Sequence, residues 1–157
     1  MARINLSRND VNLSEIACSI AVKLKETAPG RSVEFIIQPG MVVTGDAQLL
    51  EAALANLLGN AFKFTGKRDH ACIEFCQAEM QGSRAFFVRD NGEGFDVSYS
   101  KKLFRAFQRM HKVSEFPGTG IGLATVKRII LRHGGRVWAE SGVGLGATFY
   151  FTLGDNE

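Results

Sequence analysis

Residues 85–94 read Ala85-Phe86-Phe87-Val88-Arg89-Asp90-Asn91-Gly92-Glu93-Gly94. An apolar, aromatic run ends in a carboxylate, and glycines follow at alternate positions. The Phe and Val content is that of a central strand, and Asp90 ends it. A lone Asp at a strand end is commonly a turn former. Gly92 and Gly94 add a second reading, because glycine permits φ > 0 and close approach of backbone to a bound molecule. An ionised carboxylate there accepts a hydrogen bond from an amino group, such as the exocyclic N–H₂ of adenine.

Downstream, Gly118-Thr119-Gly120-Ile121-Gly122 leads into a helical pattern that stops at His133-Gly134-Gly135. Glycines at a helix start expose backbone N–H groups at the positive end of its dipole, a site suited to phosphate. The string has neither the Rossmann spacing GxGxxG after a strand nor the Gly-Lys-Ser/Thr of a P-loop. The HRD and DFG signatures of eukaryotic-type protein kinases are absent. Between the glycine turns, residues 96–117 carry Lys101, Lys102, Arg105, Arg109 and Lys112, with Phe104 and Phe107 at i and i+3. That segment is either a solvated charged face or a mobile lid whose cations meet phosphates while the two rings pin it to the body.

Upstream, Asp46 caps a long helix with Leu49, Leu50, Ala53, Leu54, Leu57, Leu58 and Ala61 on its apolar face. The same helix carries Asn56, Asn60 and Lys63. Asparagine has poor helix propensity, and these two share a face at i, i+4. They are either surface amides or functional. In the second case Asn60 offers a neutral oxygen to Mg²⁺, and Lys63 reaches an anion near that cation.

The remaining pattern alternates strands and helices. A short first strand is expected over residues 3–8. A helix follows from Asn12, capped by Asn12 or Ser14 and ended by Pro29-Gly30. A half-buried strand runs over 31–38 with Val33, Phe35 and Ile37 inward, and Val42-Val43 adds a short one. Strands at 71–79 and 83–90 join through Met80-Gln81-Gly82. Two more close the chain at 136–140 and 148–153, hinged by Gly142, Gly144 and Gly146. The fold class is α/β (α+β): a two-layer sandwich with a mixed sheet and helices on one face.

Composition sets bounds. A chain of 157 residues is one domain, here expected to span 1–157. Hydrophobic content of 45% and charged content of 22% are those of a soluble globular protein. A net charge of +3 is too small to argue for nucleic acid without a basic cluster, and no nucleic-acid partner is expected. No apolar run approaches the roughly 20 residues of a membrane span, and the N-terminus lacks signal-peptide anatomy, so a cytoplasmic domain is expected. Cys72 and Cys76, if on one strand, lie roughly 13 Å apart, beyond the roughly 7 Å a disulfide spans. With Cys18 they are expected to be reduced and structural.

Taken in order, these segments resemble the catalytic domain of bacterial sensor histidine kinases. Residues 54–65, Leu-Ala-Asn-Leu-Leu-Gly-Asn-Ala-Phe-Lys-Phe-Thr, are similar to the family's N box. Asp90 to Phe95 resembles the G1 box, Phe104-Arg105-Ala106-Phe107 the F box, and Gly118 to Leu123 the G2 box. Phe116-Pro117 before that last box and the stretch from His133 to Glu140 are similar to kinases linked to phytochrome and PAS sensors. The resemblance implies the Bergerat ATP-binding fold of the GHKL (HATPase_c) superfamily, shared with gyrase and MutL. It implies ATP and Mg²⁺ as cofactors, with Asn60 on the metal and Lys63 on phosphate. It implies Asp90 on the adenine amino group, with Gly92 and Gly94 shaping that end. Asn56, Phe104, Phe107, Thr119 and Leu123 join the nucleotide-binding set. Gly118, Gly120 and Gly122 let the next helix approach the phosphates, and Arg109 contacts the γ-phosphate.

Two departures bear on activity. Gyrase-type ATPases carry a Glu base one turn before the magnesium Asn; here Asn56 stands there and takes no proton. The phospho-acceptor His-Glu/Asp motif is also missing. His70 lies in a turn, His111 in the lid segment, and His133 at a helix end where a cation suits the dipole. The expected activity is therefore transfer of the γ-phosphoryl group of ATP to a histidine on a separate dimerisation domain. The expected partners are that domain and a response-regulator receiver. The chain itself is expected to be a monomeric piece of a homodimeric protein that could be anchored upstream. The alternatives are a nucleotide-responsive module without phosphotransfer, a GHKL-type ATPase, or an anti-sigma type serine kinase.

Overall fold

The structure, a computed structural model, describes residues 6–94, 119–141 and 144–154. In chain order its elements are β1 (Arg8–Asn12), α1 (Leu13–Thr27), β2 (Val33–Ile37), β3 (Val42–Asp46), α2 (Ala47–Phe64), β4 (Ala71–Met80), β5 (Ser83–Asp90), α3 (Thr119–Arg132), β6 (Val137–Ser141) and β7 (Ala147–Thr152). The main sheet has five strands in the order β2-β4-β5-β7-β6. Only β2 and β4 pair in parallel within it; the other neighbours are antiparallel. β5, the Phe-rich run, occupies the middle as its composition predicts. β1 and β3 form a separate antiparallel pair.

Local chemistry sets the boundaries. Asn12 is the N-cap of α1, its Oδ1 accepting from Glu15 N–H at 3.0 Å. Ser14 does not cap. Its hydroxyl donates to Gln38 O at 2.5 Å and accepts from Met41 N–H at 2.9 Å, tying α1 to the β2–β3 turn. Asp46 caps α2 as expected, accepting from Leu49 N–H at 3.2 Å. The first strand is displaced from its expected place. It begins at Arg8, where residues 8–12 pair with 46–42 of β3. Four of its five residues are polar, so no alternation announces it, and pairing rather than burial defines the strand.

Three helices pack on one face of the sheet. Leu50, Leu54, Leu57 and Leu58 of α2 meet Ile73 and Phe75 of β4, Phe86 and Val88 of β5, and Phe149 and Phe151 of β7 in one core. Leu123, Val126, Ile129 and Ile130 of α3 complete it. α2 lies between α1 and α3 and touches both. On the other face, register aligns Cys76, Phe87, Tyr150 and Trp138 in a row. The Trp138 and Tyr150 rings stack at 5.2 Å, and guanidinium groups cap the row, Arg89 over Phe87 and Arg136 over Trp138. Cys18, Cys72 and Cys76 are free, as expected.

Candidate functional site

The last two turns of α2 are held from both sides. A Cβ built on Gly122, in the first turns of α3, would stand 2.6 Å from Asn56 Oδ1. One built on Gly92 would collide with Phe64 O, which also accepts from Glu93 N–H at 3.3 Å. Eight residues of helix, about 12 Å, separate these contacts. Asn60 lies between them. α2 is thus one wall of a site whose ends are the start of α3 and the exit of β5.

Asp90 closes the β5 end. It is 4% exposed. Its Oδ1 accepts from Gly92 N–H at 2.8 Å, and the carboxyl also takes a backbone bond from Ala147. Its Oδ2 is buried with no hydrogen-bond partner among the described residues. Burial raises the Asp90 pKa from 3.8 to about 6, against the lowering effect of the Gly92 and Ala147 amides. An acceptor oxygen buried and left open is costly unless a ligand donor fills it. The two glycines after Asp90 serve different ends. Gly94 is the one with positive φ, at 70°; Gly92 is needed because Phe64 O leaves no room for a side chain.

Asn60 is 6% exposed, so it is no surface amide, and its Nδ2 likewise lacks a partner among the described residues. Asn56 is half-buried and donates from Nδ2 to Ala52 O at 3.0 Å. Lys63 is exposed at the last turn. Leu123 is fully buried in the core. Thr119 and Gly120 open α3. Phe104, Phe107, Arg109 and Gly118 lie outside the described residues.

Sequence reasoning missed several supports. A Cβ on Gly146 would collide with Asp90 O, so β7 starts against the carboxylate's own backbone. Arg68 donates to Gly92 O at 3.0 Å and to Gly144 O at 3.4 Å, and Gly144 N–H donates to Glu93 O at 2.5 Å. Asn91 holds the start of β4, accepting from Cys72 N–H at 2.9 Å and donating to His70 O at 3.0 Å. The available signal is the pair Gly144 and Gly146, which the sequence presents as a hinge and the fold uses as contact surfaces. His133 corrects the expectation of a cation at a helix end. Nδ1 donates to Ile129 O at 2.9 Å and Nε2 accepts from Asp46 N–H at 3.1 Å, and only the neutral ring does both.

The sandwich has counterparts of known structure. In fold it matches the catalytic domain of the histidine kinase ThkA, with TM-score 0.75 at 24% identity over 94% of this chain and 95% of that one. It also matches the mycobacterial sensor histidine kinase MprB, with TM-score 0.74 at 22% identity over 93% and 96%. The chain belongs to the family described as Histidine kinase-, DNA gyrase B-, and HSP90-like ATPase, which matches residues 45–157. It is 37% identical over 99% of its length to cyanobacterial phytochrome B of Nostoc sp., covering 21% of that protein. It is 44% identical over 71% of its length to cyanobacterial phytochrome A of the same organism, covering 14% of it. Full-length ShkA in complex with AMPPNP superposes with TM-score 0.76 at 28% identity, covering 97% of this chain and 32% of that one. The chain thus spans about a fifth or less of these phytochromes. Among the described residues no helix is long and apolar enough to cross a membrane.

Proposed function

We propose that this domain binds Mg-ATP between α2, α3 and the end of β5, and donates the γ-phosphoryl group to a histidine on a separate dimerisation domain. The observation that carries the reading is the buried Asp90 carboxylate with one oxygen open. It suits the adenine amino group, a neutral donor that satisfies a buried acceptor without adding charge. Asn60 suits the phosphate end. Its amide offers an oxygen to a hard cation and N–H to a phosphate or water oxygen. Mg²⁺ takes few protein ligands when substrate phosphates supply the others. Bound there, Mg²⁺ would offset charge on the phosphates. Lys63 and Arg109 are the proposed phosphate contacts, and Gly118, Gly120 and Gly122 admit the α3 backbone.

The transfer needs little covalent chemistry from the domain. An imidazole nitrogen of the acceptor attacks the γ-phosphorus, the bond to the ADP oxygen breaks, and the ring's other nitrogen releases its proton to solvent. Positioning and charge neutralisation supply the rest. Hydrolysis is the weaker reading, because Asn56 donates to Ala52 O and has no basic atom for a water proton. A receiver domain then takes the phosphoryl group, and the working protein is a dimer through its upstream helices.

The test mixes the domain with γ-labelled ATP and its own upstream helical domain. Acid-labile, base-stable label on that partner is expected. Acid-stable label would mean a serine kinase, and released phosphate without label a hydrolase. Calorimetry of Asp90→Asn is expected to show ATP binding weakened at least a hundredfold, about 3 kcal/mol. Parental affinity in that variant would refute the adenine assignment.

A further inference from the structure

Two glycine-rich segments flank Asp90. Gly92 and Gly94 follow β5, and Gly144 and Gly146 precede β7. Such segments carry little restraint of their own, since glycine reaches more backbone conformations than other residues. Both backbone donors to the Asp90 carboxyl come from them: Gly92 N–H at 2.8 Å, and the amide of Ala147, next to Gly146. The direction of the open Oδ2 therefore depends on how the two segments are held.

One side chain ties the segments to each other. Arg68 Nη2 donates to Gly92 O at 3.0 Å and to Gly144 O at 3.4 Å. This nitrogen carries two hydrogens, one for each carbonyl. Arg68 is itself anchored at the end of α2, where its N–H donates to the C-cap carbonyl, Thr65 O, at 3.0 Å. The Gly92–Glu93 peptide is thereby gripped at both edges, its carbonyl by Arg68 and its N–H by Phe64 O. Glu93 O accepts from Gly144 N–H, which closes a ring through Arg68, Gly92, Glu93 and Gly144. Asn91 secures the β4 side of the first segment, through Cys72 N–H and His70 O. The neighbouring Lys67–Glu93 ion pair is 3.7 Å long with side chains 86% and 52% exposed, so it is worth little and fixes no direction. Arg68 is exposed as well, so burial does not hold it in place. Its acceptors are carbonyls in the same two segments that give Asp90 its amides.

We propose that Arg68 is a positioning residue for base recognition, tying the two glycine segments to the end of α2 so that the open oxygen of Asp90 stays aimed at an amino group. It acts through the Gly92 and Gly144 peptides rather than on the ligand. Order set before binding lowers the cost of ordering on binding. That role rests on the reading of Asp90 as the acceptor of the adenine amino group.

Calorimetry of ATP and of inosine triphosphate on the 157-residue chain tests it. Inosine has a carbonyl oxygen where adenine has the amino group, so it cannot donate to Asp90 from that position. A site built around such a bond rejects the analogue that lacks it, and the parent is expected to prefer ATP by about a hundredfold or more. Arg68→Ala is expected to weaken ATP about tenfold and inosine triphosphate less than about twofold, so that the preference contracts. Both Arg68 bonds come from one nitrogen, so an ammonium can stand in for it. Arg68→Lys is accordingly expected to stay within about threefold of the parent for ATP. In the ligand-free chain, amide exchange of Gly92 and Gly144 is expected to quicken about tenfold in Arg68→Ala while the β4–β5 core keeps its protection. An undiminished preference in Arg68→Ala, whether from parental affinities or from equal loss of both nucleotides, would overturn the role, as would unchanged exchange at both glycines. A parent that binds the two nucleotides alike would remove the adenine reading and this role with it. A selective parent with an equally selective Arg68→Ala would remove the role alone.

Discussion

Asp90 is held in a state that folding alone would not choose. Its pKa of about 6 in the fold, against 3.8 ordinarily, means the folded chain holds a proton that the unfolded chain releases. Stability from this group is full below the unfolded value and is lost as pH rises toward about 6, by up to about 3 kcal/mol for two pKa units. Asp90→Asn is therefore expected to raise the stability of the ligand-free domain at pH 8, measured by urea denaturation, while abolishing ATP binding. Loss of stability there would mean the carboxylate is better satisfied than its geometry indicates. The same titration acts on the ligand with the opposite sign. Binding needs the ionised acceptor, so adenosine affinity is expected to fall as pH drops below about 6. Adenosine is the probe because it carries no phosphate to titrate alongside. The sequence made Asp90 legible through its position after an apolar run. It hid the Ala147 bond to the carboxyl and the close approach of Gly146 to Asp90 O, which arise only because β7 lies beside β5 in the sheet, Gly146 being 56 residues from Asp90 in the chain.

At the scale of elements, α2 organises the site, and its ends are where substitutions tell. Asp46 accepts backbone bonds from Ser7 and Leu49, and these bonds lower its pKa. Its contribution is present above the ordinary carboxylate range and fades as pH falls through the lowered value. Asp46→Ala is expected to cost about 1 kcal/mol by denaturation at pH 7. At the other end, Gly92→Ala drives a methyl against Phe64 O and is expected to cost roughly 1–3 kcal/mol. It should weaken nucleotide binding as well, since Asp90 and Phe64 can no longer keep their spacing. An unchanged thermal midpoint in Gly92→Ala would refute that close approach. α2 was readable from its heptad-like leucines and its cap, because burial follows helical period. β1 was not. Strand pairing between polar residues leaves no hydropathy pattern, and the partner strand is 30 residues away. His70 and Asn91 are joined the same way, by backbone and amide chemistry that composition does not display.

For the whole molecule, the fold brings the two ends of the site together by packing α2 between α1 and α3 over one sheet. A ligand that spans from Asp90 to the start of α3 should clamp that arrangement. Mg-ATP at a hundred times its Kd is expected to stabilise the domain by about 2.7 kcal/mol. For a chain this size that is a rise of roughly 5–10 °C in Tm. Adenosine at the same multiple of its own Kd should do as much, and magnesium without nucleotide should do nearly nothing. The order of boxes along the chain was enough to anticipate the sandwich: among the described residues the N box falls on α2, the G1 box begins at the last residue of β5 and the G2 box runs into α3.

His133 has one further consequence. Its ring joins the end of α3 to the start of α2 across 87 residues of chain. A contact of such sequence separation is expensive to close early in folding. The Asp46–His133 bond should therefore be among the last native contacts to form. In refolding from urea, protection of the Asp46 amide should lag behind that of the β4–β5 hairpin, and His133→Ala should quicken unfolding while leaving the refolding rate nearly unchanged.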